Sequence, residues 1–329
     1  MLEKTRSHRD LHESVAKLHW PNRLRLPVIA APMFLVSGVD LVVAQCKAGV
    51  VGSFPALNAR TAEALDDWLT RIKAGLGGAP DAAPFAVNLI VHGSNERLSS
   101  DLEICVRHEV PIVITSLQPP GEVVAAVHSY GGLVFHDVTT VRHARKALEQ
   151  GADGLILVAA GAGGHAGRIS PFALLAEVRR LFAGPVALAG AITSGDAVLA
   201  AQVLGADFAY LGTRFIATQE SGAPAAYKQM ILECSAADVV YTDVVSGIHG
   251  NYLRPSLAAA GIDPDNPRSQ DTLGSYASHD HRPKAWLDIW SAGHGVGGID
   301  ETESVGRCVE RLRREYDDAR ARLANGGPA

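Results

Sequence analysis

Residues 155–170 read LILVAAGAGGHAGRIS, an apolar run suited to a buried strand that passes directly into a loop where Gly161, Gly163, Gly164 and Gly167 surround His165. Glycine lets a backbone come close to a ligand. An imidazole with an ordinary pKa of about 6.5 takes or gives a proton near neutrality. Together these residue types make His165 the candidate catalytic base, ahead of the reading as a solvated loop histidine among the 13 in the chain. The same glycines satisfy a GxGxxG/A pattern after a strand. A dinucleotide fold would also need an acidic residue closing the next strand, about twenty residues on. That strand, Val186-Ala-Leu-Ala-Gly190, has none, and a dinucleotide fold is disfavoured.

Two later segments suit a phosphate. PVALAGAI (185–192) turns at Gly190 into a helix starting near Ser194, and Tyr210-Leu-Gly212-Thr213 turns at Gly212 into another helical piece. Amides at a helix N-terminus attract anions, although ordinary strand-to-helix turns would account for each glycine alone. Ala30-Ala31-Pro32-Met33 is a small-residue segment that could lie against a flat ring. Asn88 is a polar side chain in an apolar run, equally a satisfied core amide or a ligand contact. His136 and Asp137 close a further strand, where inward polar groups would reach the same site. His279-Asp-His281 resembles a metal fragment but lacks a third ligand, so no metal is expected. Walker A, GxSxG, HExxH and kinase signatures are missing from the chain.

These residues need a frame that gathers strand ends. Short apolar runs recur at 28–30, 50–52, 85–91, 112–115, 133–137, 154–158, 186–189 and 208–211, separated by helical spacing such as Ala64, Leu65, Trp68, Leu69 and Ile72. Strands buried on both faces and alternating with helices imply a parallel sheet. Eight near-equal units predict an α/β fold, a (β/α)8 TIM barrel with its chemistry at the strand C-terminal ends. An open doubly wound sheet is the alternative. Ser170 and Ser194 are candidate N-caps, with Pro171 suited to the first helical position. The barrel is expected over 1–220. A smaller, mostly helical capping subdomain over the mouth is expected at 221–285, where the rhythm gives way to Gly-, Pro- and Asp-rich sequence. A C-terminal segment, 286–329, should end in an amphipathic helix whose apolar stripe runs Val305, Cys308, Val309, Leu312, Tyr316, Ala319, Leu323. That helix is expected to pack on the body or on a second subunit.

With 329 residues, 47% hydrophobic and 20% charged, the chain has the balance of a globular protein with a sizeable core. A net charge of -5 without a basic stripe argues against nucleic acid or an anionic membrane as partner. Four dispersed cysteines form no CxxC and suggest reduced thiols. The first twenty residues alternate charged and apolar types, unlike a secretory signal, and apolar runs such as 181–195 are too short to span a bilayer. The expectation is a soluble, cytoplasmic protein, monomer or homodimer, acting on a small molecule.

The segments LPVIAAPMFLVSG, FAVNLIV, HDVTTVRHARKALEQGADGLILVAAGAGGHAG, PVALAGAITSG, FAYLGTRFIATQE and KAWLDIWSAGHGVGGI resemble, in order, the FMN-dependent nitronate monooxygenases, also called 2-nitropropane dioxygenases. The resemblance covers about residues 24–323. It implies a TIM barrel with a capping domain, non-covalently bound FMN and no metal. It further implies that Ala31, Pro32, Met33 and Asn88 border the flavin, that Gly163 and Gly164 line it beside the catalytic His165, and that Ala189, Gly190, Gly212 and Thr213 form the phosphate turns. Two departures stand out. Asp137 occupies a position where some relatives have a lysine touching FMN, and Ala189 one where relatives carry a serine.

The activity this resemblance implies is oxidation of an alkyl nitronate with O2 to a carbonyl compound and nitrite. The alternatives are an NAD(P)H-dependent flavin reductase of a quinone or enoyl thioester on the same scaffold, and a flavin-free barrel that binds a phosphorylated ligand.

Overall fold

The structure, a computed structural model, describes residues 24–268 and 287–326. Among these residues eight parallel strands alternate with helices and form one sheet. In chain order they are β1 (Val28–Ala30), β2 (Gly52–Pro55), β3 (Phe85–Val91), β4 (Ile112–Leu117), β5 (Leu133–Val138), β6 (Gly154–Val158), β8 (Val186–Ala189) and β9 (Phe208–Leu211). A two-residue strand, β7 (Gly164–His165), lies outside this sheet. The spatial order is β1-β9-β8-β6-β5-β4-β3-β2. The ring closes through a parallel bridge between Ile29 and Val51, so the eight-unit rhythm forms a TIM barrel and not an open sheet.

Strand alternation sorts the side chains. Ile29, Val51, Ala86, Ile114, Phe135, Ile156, Ala187 and Phe208 fill the barrel interior, while the residues between them face the helices. The helix Ala62–Leu76 shows the local logic. Thr61 accepts a hydrogen bond from the amide of Ala64, and the stripe Leu65, Leu69, Ile72 is buried. Ser194 likewise caps Gly195–Val203 by accepting from Ala197. Ser170 makes no such bond, and Pro171 alone marks that helix start.

The C-terminal helix, Val305–Ala324, packs on Gly195–Val203 and Val39–Ala48 of the barrel wall. Val305, Cys308, Val309, Leu312 and Ala319 are buried as the stripe predicts, whereas Leu323 is exposed past the end of the contact. The helix is also anchored electrostatically. Arg214, wholly buried, pairs with Glu303, which accepts a second bond from Arg311. All four cysteines are buried and unpaired.

The segment after the barrel contains helices Ala225–Glu233 and Arg254–Ala259, together with two strands that the sequence reading did not foresee. These are β10 (Val239–Thr242) and β11 (Gly250–Leu253), and β7 adds to them antiparallel to complete a three-stranded sheet. The strands are short and rich in Gly, Asn and Tyr, so periodicity could not report them. The sheet pairs Gly250 with His165 and Asn251 with Gly164. The loop that carries the candidate base is therefore held by the added segment.

Candidate active site

The strand C-terminal ends enclose a cavity of about 990 Å³. It is lined by Ala31, Pro32 and Met33 after β1, Asn88 on β3, Asp137 on β5, Gly163, Gly164 and His165 after β6, Ala189 and Gly190 closing β8, and Gly212 and Thr213 after β9. One residue expected here does not reach it. His136 lies on the opposite face of β5 from Asp137, buried, with Nδ1 2.8 Å from Thr115 Oγ1. Because successive side chains on a strand point to opposite faces, the two could not both face the site. Burial, with the charge of His143 as a smaller cause, pushes the His136 imidazole down to about 4.

A polar relay runs along the cavity wall. Asn88 Nδ2 donates to Ile114 O (3.1 Å) and to Ser116 Oγ (2.8 Å). Ser116 Oγ in turn donates to Asp137 Oδ2 (2.6 Å). Asn88 is thus both a satisfied core amide and a cavity residue. Burial raises the Asp137 carboxyl to about 7, opposed by the bond from Ser116. Its other oxygen, Oδ1, has no partner, and neither has the hydroxyl of Tyr210, which also lines the cavity. Burial raises Tyr210 well above its ordinary range, and the charge of Asp137 adds to that.

His165 sits at the start of the added sheet, its Nε2 3.2 Å from Ser246 Oγ. Ser246 Oγ also donates to Ile248 O and meets the Tyr252 hydroxyl at 3.2 Å. His165 is an exposed residue of the cavity wall, and the protein packed around it removes part of its hydration, which lowers its pKa below the ordinary value. The ring is therefore neutral at neutral pH, with a nitrogen able to take a proton. With its one proton given to Ile248 O, Ser246 Oγ accepts from His165 Nε2–H.

The glycines around His165 serve two purposes. Gly161 and Gly164 have φ of 85° and 67°, values that favour glycine. Gly163 is needed for a different reason, since a Cβ there would fall 2.9 Å from the amide nitrogen of Gly293. Residues 291–295, SAGHG, press backbone to backbone on this loop, and Thr213 Oγ1 accepts from Gly293 N at 2.9 Å. Thr193 Oγ1 donates to Gly295 O at 3.0 Å. Sequence reasoning quoted this segment only as part of a family pattern, because a contact spanning about 130 residues leaves no local periodicity.

The turns expected to hold phosphate are placed as follows. Gly190 has φ of 137°, and a Cβ on it would lie 2.7 Å from Ala160 O. Gly212 adopts an ordinary φ of -110°. Farther along, Gly195 N donates to Glu315 Oε2 (2.7 Å), so the first turn of Gly195–Val203 is partly satisfied by protein carboxylate and hydroxyl. This leaves 190–193 and 212–213 as the backbone facing the cavity. A flat flavin with a phosphate tail fits these features: small-residue turns on one side, a loop beside His165, and two partnerless polar oxygens in the wall. Ser116, Tyr210, Tyr241 and Ser246, which the sequence did not single out, complete the surroundings. Tyr241 donates to Ala166 O. Among the described residues no group of three or more His, Cys, Asp or Glu side chains is placed to hold a metal ion, and no helix is long and apolar enough to cross a membrane. His279 and His281 lie outside the described residues.

Comparison with known proteins follows the same lines. A (3aS,4S,5R,7aS)-5-hydroxy-7a-methyl-1-oxo-octahydro-1H-indene-4-carboxyl-CoA dehydrogenase of Mycobacterium tuberculosis is 31% identical, the match covering 70% of this chain and 64% of that protein. The chain thus spans less than two thirds of that curated relative. Among solved structures, FabK from Thermotoga maritima superposes with a TM-score of 0.76 at 26% identity, covering 92% of this chain and 96% of that one. Nitroalkane oxidase from Streptomyces ansochromogenes superposes with a TM-score of 0.75 at 28% identity, covering 94% and 100%. The nitronate monooxygenase family matches residues 93–260, half of the sequence and all of the region from the end of β3 through the loop of His165 to β11. With the barrel and this match in agreement, the chain belongs to the nitronate monooxygenase family.

Proposed function

We propose that the protein is a flavin-dependent oxidoreductase that binds FMN and oxidises alkyl nitronates with O2 to a carbonyl compound and nitrite. The observation that carries this reading is His165, at the wall of a cavity that the Gly190 and Gly212 turns also line. When bound, FMN supplies the electron chemistry, accepting electrons from the substrate and passing them to O2. The turns at 190–193 and 212–213 would hold its phosphate, and Ala31, Pro32, Met33, Gly163 and Gly164 would border its ring.

The chain's own contribution is to proton transfer and positioning. Neutral His165 takes the proton from the carbon next to the nitro group of a nitroalkane, giving the nitronate. The imidazolium so formed stays beside the anionic oxygens and pairs with them. When the substrate arrives already as nitronate, His165 takes no proton from it and serves only to donate a ring N–H to its oxygens. Ser246 orients the ring through Nε2, and the 291–295 segment packs on the loop and fixes its backbone.

A second reading, reduction of a thioester or quinone by NAD(P)H, draws support from the relative named as a carboxyl-CoA dehydrogenase and from Arg168 in the cavity wall, whose charge suits an anionic substrate. One experiment separates the two. The absorption spectrum of the purified protein reports flavin, and anaerobic mixing with propionate 3-nitronate or nitroethane, then with NADH, reports which donor bleaches it. Nitrite release on readmitting air supports the first reading. Bleaching by NADH with no nitrite from any nitronate replaces it with the second.

A further inference from the structure

Tyr210 is more than nine-tenths buried, lines the cavity, and its hydroxyl has no hydrogen-bond partner. Asp137 lines the same cavity and its Oδ1 has none either. A buried polar atom left unpaired costs about 1–3 kcal/mol, and folded proteins leave few of them. Phenylalanine at 210 would fill the same space without that cost. Neither oxygen serves packing, and the two belong to one site: β5 and β9 stand three strands apart around the ring, and the charge of Asp137 is felt at Tyr210.

Asp137 is also held in place. Ser116 fixes Oδ2, and Asn88 fixes Ser116. This relay leaves Oδ1 as the one oxygen of the carboxyl with capacity to spare. A ligand able to satisfy both residues presents a flat edge in which an N–H donor lies between carbonyl acceptors. The pyrimidine ring of a flavin has such an edge, an imide.

We propose that Asp137 and Tyr210 together form a subsite that reads the imide edge of the flavin, with Tyr210 donating to a ring carbonyl and Asp137 Oδ1 facing the imide N–H. Ser116 is the positioning residue that aims the carboxyl. The inference rests on the flavin reading above and adds residues to it.

The test uses apoprotein, prepared by removing bound flavin and titrated with FMN and with FMN methylated at the imide nitrogen. Wild type should bind FMN at least ten-fold more tightly than the methylated form. Tyr210→Phe and Asp137→Ala should each weaken FMN about ten-fold, and Asp137→Ala should abolish the preference, with Asp137→Asn, which keeps an acceptor, restoring part of it. Tyr210→Phe supplies a readout that a structural role would not move in this way: apoprotein Tm should stay the same or rise while FMN affinity falls. FMN binding with unchanged affinity and preference in the variants overturns the subsite and leaves the flavin reading standing. A wild-type chain that takes up no FMN overturns both.

Discussion

Gly163 and Gly293 meet backbone to backbone. A Cβ on Gly163 would lie 2.9 Å from Gly293 N, and one on Gly293 would lie 2.5 Å from Gly161 O. Two stretches separated by most of the added segment are thereby pressed together beside His165, at a distance that only glycine permits.

Replacing Gly293 with alanine therefore should move the His165 loop. The clash is with backbone atoms, which cannot rotate away, so overpacking of about 1–3 kcal/mol is expected. Nitronate turnover should fall about ten-fold or more, checked by nitrite release, with a Tm decrease of a few degrees. A variant with wild-type turnover would show that the contact does not position the base.

His165→Asn should retain the flavin spectrum and lose turnover of neutral nitroalkane by a factor of about 10²–10⁴, the usual range for general base catalysis. In the wild type the base must be unprotonated, and partial desolvation by the surrounding protein places its pKa below the ordinary value. The rate with nitroalkane should thus hold through neutrality and fall only on the acid side, at a pH lower than an unperturbed histidine would give. A midpoint above neutrality would contradict the depressed pKa.

Asp137 makes a signed prediction for the apoprotein. Its carboxyl is raised to about 7 in the fold by burial, from an ordinary 3.8. Below both values the group is protonated in folded and unfolded chains and contributes nothing. As pH rises between them the unfolded chain ionises first, so stability falls, and above about 7 the loss is constant. Each pKa unit corresponds to about 1.4 kcal/mol. Asp137→Asn should be more stable than wild type at pH 8, by up to a few kcal/mol in urea unfolding, with the gain vanishing towards pH 4. Parallel stability curves across that range would refute it.

Gly195 tests the docking of the C-terminal helix. A Cβ there would come within 2.2 Å of Leu312 O and 2.3 Å of Tyr316 N, both backbone atoms of the facing helix. Gly195→Ala should lower thermal stability by several degrees despite alanine's better helix propensity, and FMN affinity should change little, since Gly195 does not line the cavity. A rise in Tm would show that the helices separate without cost.

The sequence by itself determined the barrel and most of its mouth. Strands buried on both faces and helices with one apolar stripe leave period signals that need no partner to be read, and seven of the eight strand runs, including 85–91 and 154–158, end within two residues of where β1, β3, β4, β5, β6, β8 and β9 end. Strand ends then follow from strands, so Asn88, Asp137, Gly190, Gly212 and the loop of His165 could be assigned to one face. His136 could not be separated from Asp137 in advance, because which of two adjacent side chains points inward depends on register within the closed ring.

What only the tertiary structure decided are the contacts between distant segments. The pairing of β7 with β11, the Gly163–Gly293 approach and the Arg214–Glu303 ion pair join residues 85 or more positions apart. No local pattern encodes such neighbours. The partnerless oxygens of Asp137 and Tyr210 belong to the same class: the sequence marks Asp137 as a strand-end residue and Tyr210 only as part of a turn, and only closure of the barrel brings both to one cavity.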